Sequence, residues 1–260
     1  MVGLALLVGG GAPGGWLAVQ AGAGVLAMAL FLPLVRRWLP RLSTALLFAV
    51  PLALLATRFL DEGTDGVHRW LRLGPVQLHI GLLLLPALLT VDARGDNRAS
   101  SVSLVACGMI IGRQPDFGMA VALAMAVAAI LVVRRDQRDL MLVLGALLAF
   151  PASWSNDSLQ PVAMVEHVLT DSWQWTAWTG PLALMGALIL PAALLWRGFI
   201  EPAMRLPAVT LVGLWFGLLL ASLIGHYPVP LLGYGASAVL GWALALAWME
   251  VPAVEATLRA

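Results

Sequence analysis

The sequence predicts an all-α, polytopic transmembrane helix bundle, and three observations predict it. Hydrophobic residues make up 61% of the chain and charged residues 11%, with a mean hydropathy of +0.91. Apolar runs approaching the roughly 20 residues a bilayer crossing needs fill nearly its whole length. Arginines punctuate those runs on every second loop. A soluble core cannot be this apolar, because too few polar side chains would remain to cover its surface. The reading is one transmembrane domain over 1–260, with no soluble domain, low-complexity linker or clear internal repeat.

Residues 1–14 come first. They are apolar but lack the basic start of a signal peptide, and they are too short to cross. Apolar runs read against breakers then give about nine crossings, near 15–35, 42–60, 76–91, 100–112, 117–133, 139–152, 178–196, 207–225 and 232–250. Arg36, Arg37 and Arg41 share one loop, and Arg94 and Arg98 lie on the next but one. Arg134, Arg135 and Arg138 follow, then Arg197 and Arg205, then Arg259 in the tail. The intervening loops hold only Arg58, Arg69, Arg72 and Arg113. This alternation places the arginine-rich loops and the C-terminus in the cytoplasm. Nine crossings then leave the N-terminus outside, so residues 2–10 read as the stump of a tenth, N-terminal helix.

Composition also excludes functions. A net charge of +1 provides no concentrated basic face for nucleic acid. Cys107 is the only cysteine, which rules out an intrachain disulfide framework or thiolate metal cluster. His68, His79, His167 and His226 show no metal-ligand spacing, and neither metal nor cofactor is expected.

The outer loops carry the unusual residues. In 61–77, Arg69, Trp70 and Arg72 form a basic–aromatic cluster on the face where arginine is disfavoured. Two readings stay open: an interfacial helix with snorkelling arginines, or a phosphate or pyrophosphate site, which guanidinium forks suit. In 113–118, Pro115 pushes Gln114 out of helical geometry, and Asp116 sits where the next helix needs an N-cap. The longest outer loop, 153–177, holds Asp157, Glu166, His167 and Asp171, with a belt of Trp154, Trp173, Trp175 and Trp178. Asp171 lies among these tryptophans, where partial burial would raise its pKa. In 226–235, two prolines, two glycines and two tyrosines imply broken backbone, tolerated at the membrane only when it lines a cavity or is buried in protein.

Four of these segments, in order, resemble the SEDS family of bacterial shape, elongation, division and sporulation proteins, typified by FtsW and RodA. GVHRWLRLG at 66–74 resembles G-x-R-R-W-L-x-L-G, and QPDFG at 114–118, with Pro115, Asp116 and Gly118, matches Q-P-D-[LF]-G. LTDSWQW at 169–175 resembles H-T-D-F-I-F, and PVPLLGYGASAVL at 228–240 resembles P-L-P-F-[IL]-S-Y-G-G-S-S-x-L. The resemblance implies about ten spanning helices in the bacterial inner membrane. It also implies polymerisation of an undecaprenyl-linked precursor, lipid II, into glycan beside a class B penicillin-binding protein. On it, Asp171 matches an essential aspartate and would act as general base. Arg69, with Arg113, would stabilise the departing pyrophosphate, and the turn holding Pro230, Tyr234 and Gly235 would line the groove for the lipid carrier.

The chain also departs from the family pattern. Leu82 and Leu85 replace an intramembrane carboxylate and lysine, a pair kept at cost and generally for function. A Glu-Glu pair falls at Thr179 and Gly180. Three readings follow: a divergent glycosyltransferase with Asp171 as base, a non-catalytic scaffold binding a synthase partner or lipid carrier, and, last, a lipid or solute transporter.

Overall fold

The computed structural model describes residues 1–34, 38–61, 63, 66–74, 76–95, 98–137, 139–151 and 159–251. Arg36, Arg37, Arg138 and Arg259, together with Trp154 and Asp157, lie outside the described residues. The helices are α1 (Val2–Gly9), α2 (Gly14–Pro33), α3 (Leu39–Leu60), α4 (Ile80–Arg94), α5 (Arg98–Ile111) and α6 (Phe117–Arg134). They continue with α7 (Asp139–Ala149), α8 (Val168–Trp175), α9 (Thr179–Ile200), α10 (Arg205–Ile224) and α11 (Ala236–Met249).

Each predicted crossing overlaps a helix, though those placed at 76–91 and 232–250 begin only at Ile80 and Ala236, and the protein is a polytopic helical membrane protein. Among the described residues, four segments are long and apolar enough to cross by length and composition: 14–31, 117–134, 179–200 and 202–224. The helices α4, α5, α7 and α11 are shorter, at 15, 14, 11 and 14 residues. At 1.5 Å per residue they reach about 16–23 Å, less than a hydrocarbon core of about 30 Å.

Burial orders the bundle. In α2, 17% of the crossing window is buried, against 72% for 202–224, so α2 lies at the rim and α10 at the centre. Helix α10 packs along α6, where Gly213 and Gly217 face the backbone of Met125 and Ala122. Small residues of this kind let apolar helices approach in lipid, where water supplies no driving force between them. Trp215 of α10 meets Trp242 of α11 edge to face at 5.1 Å and donates Nε1–H to the Ala187 carbonyl of α9 at 2.9 Å. Large apolar side chains such as Phe59, Phe199 and Met28 point outward, as lipid contact requires. Helix α1 buries Leu6 and Leu7 and packs on α9.

Polar contacts knit one end of the bundle. Asp92 accepts from Ser100 at 2.7 Å, Ser101 at 2.9 Å and Arg134 at 3.0 Å, and Arg134 also meets Asp139 at 2.6 Å. Arg94 donates to the Met249 carbonyl at 2.6 Å, and Arg197 pairs with Glu250. Thus Arg94, Arg134 and Arg197, expected on one side, do share an end, but as partners of acidic groups and carbonyls as well as loop charges.

Two local expectations are corrected. The interfacial helix over 61–77 is instead an antiparallel hairpin, β1 (Trp70–Leu73) with β2 (Val76–His79), in the register Trp70 to His79. Gly74, at φ +59, occupies the left-handed region a tight turn needs, and the alternating side chains suit a strand period of two. The crossing placed at 76–91 therefore starts at Ile80. The 153–177 loop also contains a helix of its own, α8.

Candidate functional site

At the end opposite Arg94, Arg134 and Arg197, a cavity of about 470 Å³ opens between the hairpin, the 162–166 segment and the 228–238 turn. Arg69, Trp70, Arg72, Glu166 and Tyr234 line it, as does Gly235 at the broken turn.

Arg69 is placed by its neighbours. Its side chain is 5% exposed, it donates Nη1–H to the Pro115 carbonyl at 2.9 Å, and it stands 3.9 Å from Asp116. Its guanidinium lies 4.5 Å from the Trp70 ring centroid and 5.6 Å from that of Tyr227, both within cation–π range. The hairpin delivers Arg69 and Trp70 to one wall and His79 to the facing position.

Asp116 caps α6, accepting from the Met119 amide at 3.2 Å, as its position after Pro115 predicted. It is also the hub of a buried cluster. His79 accepts the Leu82 amide on Nδ1 at 3.2 Å, which puts the proton facing Asp116, 3.2 Å away, on Nε2. Burial alone would push the Asp116 carboxyl up. His79, then Arg69 and the Met119 amide, outweigh that and hold it below the usual carboxylate range. Gly118 leaves room for Tyr227, whose ring would lie 2.5 Å from any added Cβ.

The last turn is broken as expected. Leu231 has φ +63, and Gly235 has φ +155, a conformation L side chains rarely adopt. The peripheral α2 is fastened to this turn. Gln20 accepts from the Gly235 amide at 3.1 Å and donates to the Gly233 carbonyl at 3.4 Å. Trp16 stacks on Tyr234 at 4.4 Å, and Pro230 is buried beneath.

The structure thus brings together Arg69, Trp70, Arg72, Tyr234 and Gly235, with Pro115, Asp116 and Gly118 as support. Two other predicted residues lie elsewhere. Arg113 is exposed and lines a separate cleft of about 420 Å³ with Arg58 and Gln114. Asp171 is half-buried on α8, where it accepts from the Thr170 hydroxyl at 3.1 Å, and it is not among the cavity-lining residues.

Glu166 is the residue that sequence reasoning passed over. Its Oε2 accepts the Val162 amide at 2.6 Å, and its backbone bridges to Pro228. Burial pushes its carboxyl above the ordinary glutamate value, offset in part by the Val162 amide, Arg69 and His167. His79, Trp16 and Gln20 were also missed. Only a polar residue at the start or within a helix marked them, and that signal is weak. Chemically, the two guanidiniums and one carboxylate among the described lining residues can bind a phosphoryl anion and exchange a proton beside it.

Comparison with known proteins gives the fold. No family model matches the chain, and no curated protein matches it by sequence. Among solved structures, the rod shape determining protein RodA of Thermus thermophilus superposes with a TM-score of 0.68 at 21% identity, over 95% of this chain and 90% of RodA. The chain has the RodA fold. An aspartate-to-alanine mutant of the same RodA matches with the same TM-score, identity and coverage. A chain from a peptidoglycan synthase complex that coordinates polymerization and crosslinking matches with a TM-score of 0.67 at 20% identity, over 96% and 92% of the two chains. The resemblance to the SEDS family, carried by four short segments in the sequence, therefore extends to the fold of nearly the whole chain.

Proposed function

We propose that the protein works in bacterial cell-wall synthesis, taking an undecaprenyl-pyrophosphate-linked sugar into the cavity between the hairpin and the last turn. One observation carries this reading. Arg69 and Arg72 line a cavity built largely from the segments that resemble the SEDS motifs, in a chain with the RodA fold. Guanidinium forks match pyrophosphate oxygens bidentately and keep their charge at any physiological pH. Trp70, Tyr234, Pro228 and Val229 provide an apolar wall for the first units of the lipid carrier. In this reading the protein lies in the inner membrane with its C-terminus in the cytoplasm, the cavity faces outward, and the partner is a class B penicillin-binding protein. The reaction is glycosyl transfer: a sugar hydroxyl attacks the anomeric carbon, and the lipid pyrophosphate departs toward the arginines.

A second reading, a non-catalytic scaffold that holds the lipid carrier or the synthase partner, is favoured by two observations. Leu82 and Leu85 stand where the family keeps an ionisable pair, and Asp171, the base the resemblance nominates, is not in the cavity wall. Purified protein in lipid nanodiscs, given lipid-linked precursor, separates the readings. Binding with glycan product supports the enzyme. Binding without product, or retention of a transpeptidase partner without precursor binding, supports the scaffold, and absence of both kinds of binding removes both readings.

A further inference from the structure

Among the described residues lining the cavity, Glu166 is the only carboxylate. Its position is set by backbone. The Val229 amide donates to the Val165 carbonyl at 3.2 Å, and the Tyr234 amide to the Met164 carbonyl at 2.8 Å. These bonds strap the segment to the last turn. Met164 at φ +62 and His167 at φ +60 bracket Glu166, and such outliers persist only where the surroundings over-determine them. The Val162 amide occupies Oε2, while Oε1 accepts no hydrogen bond from any described residue. Arg69 and Arg72 line the same cavity, and Arg69 is close enough to act on the Glu166 charge.

We propose that Glu166, rather than Asp171, is the proton acceptor of this cavity. The proposal rests on the reading that the cavity takes a lipid-linked pyrophosphoryl sugar. In the step it serves, an acceptor sugar hydroxyl forms a C–O bond to the anomeric carbon as the bond from that carbon to the pyrophosphate oxygen breaks. The bonding pair leaves with the pyrophosphate, opposite Arg69 and Arg72, and the hydroxyl proton passes to Glu166 Oε1. Glu166 then returns the proton to water. A carboxylate made more basic by partial burial suits this task better than a solvated one.

The test uses the full protein in nanodiscs, with undecaprenyl pyrophosphate as binding probe and an undecaprenyl-pyrophosphate-linked disaccharide as substrate. Glu166→Gln keeps an oxygen for the Val162 amide, so the strap stays formed. It is expected to bind the probe within about twofold of wild type while product formation falls about 100-fold or more. Glu166→Asp restores part of the rate. The wild-type rate falls as pH drops through the carboxyl titration, and Glu166→Gln loses that limb. Product formation at the wild-type rate by Glu166→Gln, with Asp171→Asn inactive, would place the base at Asp171 and overturn the proposal. Probe binding without product by the wild type also defeats it, leaving the binding site intact. A wild type that does not bind the probe defeats the cavity reading itself.

Discussion

Asp116 does three jobs with one carboxylate: it caps α6, faces the Arg69 guanidinium and accepts from His79. Asp116→Asn keeps a capping oxygen but removes the negative charge that faces buried Arg69 and His79. Breaking a buried pair in this way costs roughly 3 kcal/mol, read as a fall in unfolding midpoint in detergent. The pH dependence has a definite sign. A carboxyl held below its unfolded value contributes stability above the ordinary aspartate range and loses it as pH falls through the folded pKa. Wild type should therefore lose stability on acidification in a way that Asp116→Asn does not. The cap was legible in the sequence, since Pro115 and the apolar run after it mark a helix start. The ion cluster was not, because it joins three segments far apart in the chain. Glu166 was hidden for a similar reason. In sequence it is one acidic residue of a polar loop, and only the folded chain, where it pairs with Pro228, places it in the cavity that the arginines line.

Helices proved easier to read than their connections. A long apolar run has one stable form in a bilayer, where every backbone group must bond within the segment, and each predicted crossing overlaps a helix over most of its length. The 61–77 connection has no such constraint. Its alternation of Trp70, Leu71, Arg72 and Leu73 is too short to separate a strand from an interfacial turn, and the hairpin was missed. Helix α8 was missed because eight residues mixing tryptophan with polar side chains give little periodic signal. The attachment of α2 to the last turn is equally silent in sequence and depends heavily on Gln20. Gln20→Ala removes both side-chain hydrogen bonds and leaves the Gly235 amide without its acceptor, at a cost of about 1–3 kcal/mol. Hydrogen exchange should show faster opening of the 226–236 segment in this variant, while α6 and α10 stay protected.

The bundle is fastened at two ends by different chemistry. At one end Arg134 holds Asp92 and Asp139, all three nearly buried. Arg134→Ala leaves two carboxylates uncompensated and is expected to destabilise the protein by about 3–5 kcal/mol, seen in thermal unfolding, with partial recovery when Asp92→Asn and Asp139→Asn are added. At the other end the buried charges of Arg69 and Asp116 support an open cavity. The arginine alternation made the division of ends readable from sequence, but the cavity needed the hairpin, the strap and the last turn to meet in space.

Recognition of pyrophosphate by the cavity arginines is the claim on which the functional account stands. Its most direct measurement compares the affinity of nanodisc-embedded protein for undecaprenyl pyrophosphate with that for uncharged undecaprenol, in wild type and in Arg72→Gln. Arg72 is exposed on the hairpin, so its replacement tests binding without breaking the buried cluster. The account predicts that wild type prefers the pyrophosphate strongly and that Arg72→Gln loses about tenfold or more of that preference, the worth of one charge-assisted contact. Equal affinity for the charged and uncharged lipids in wild type would contradict it.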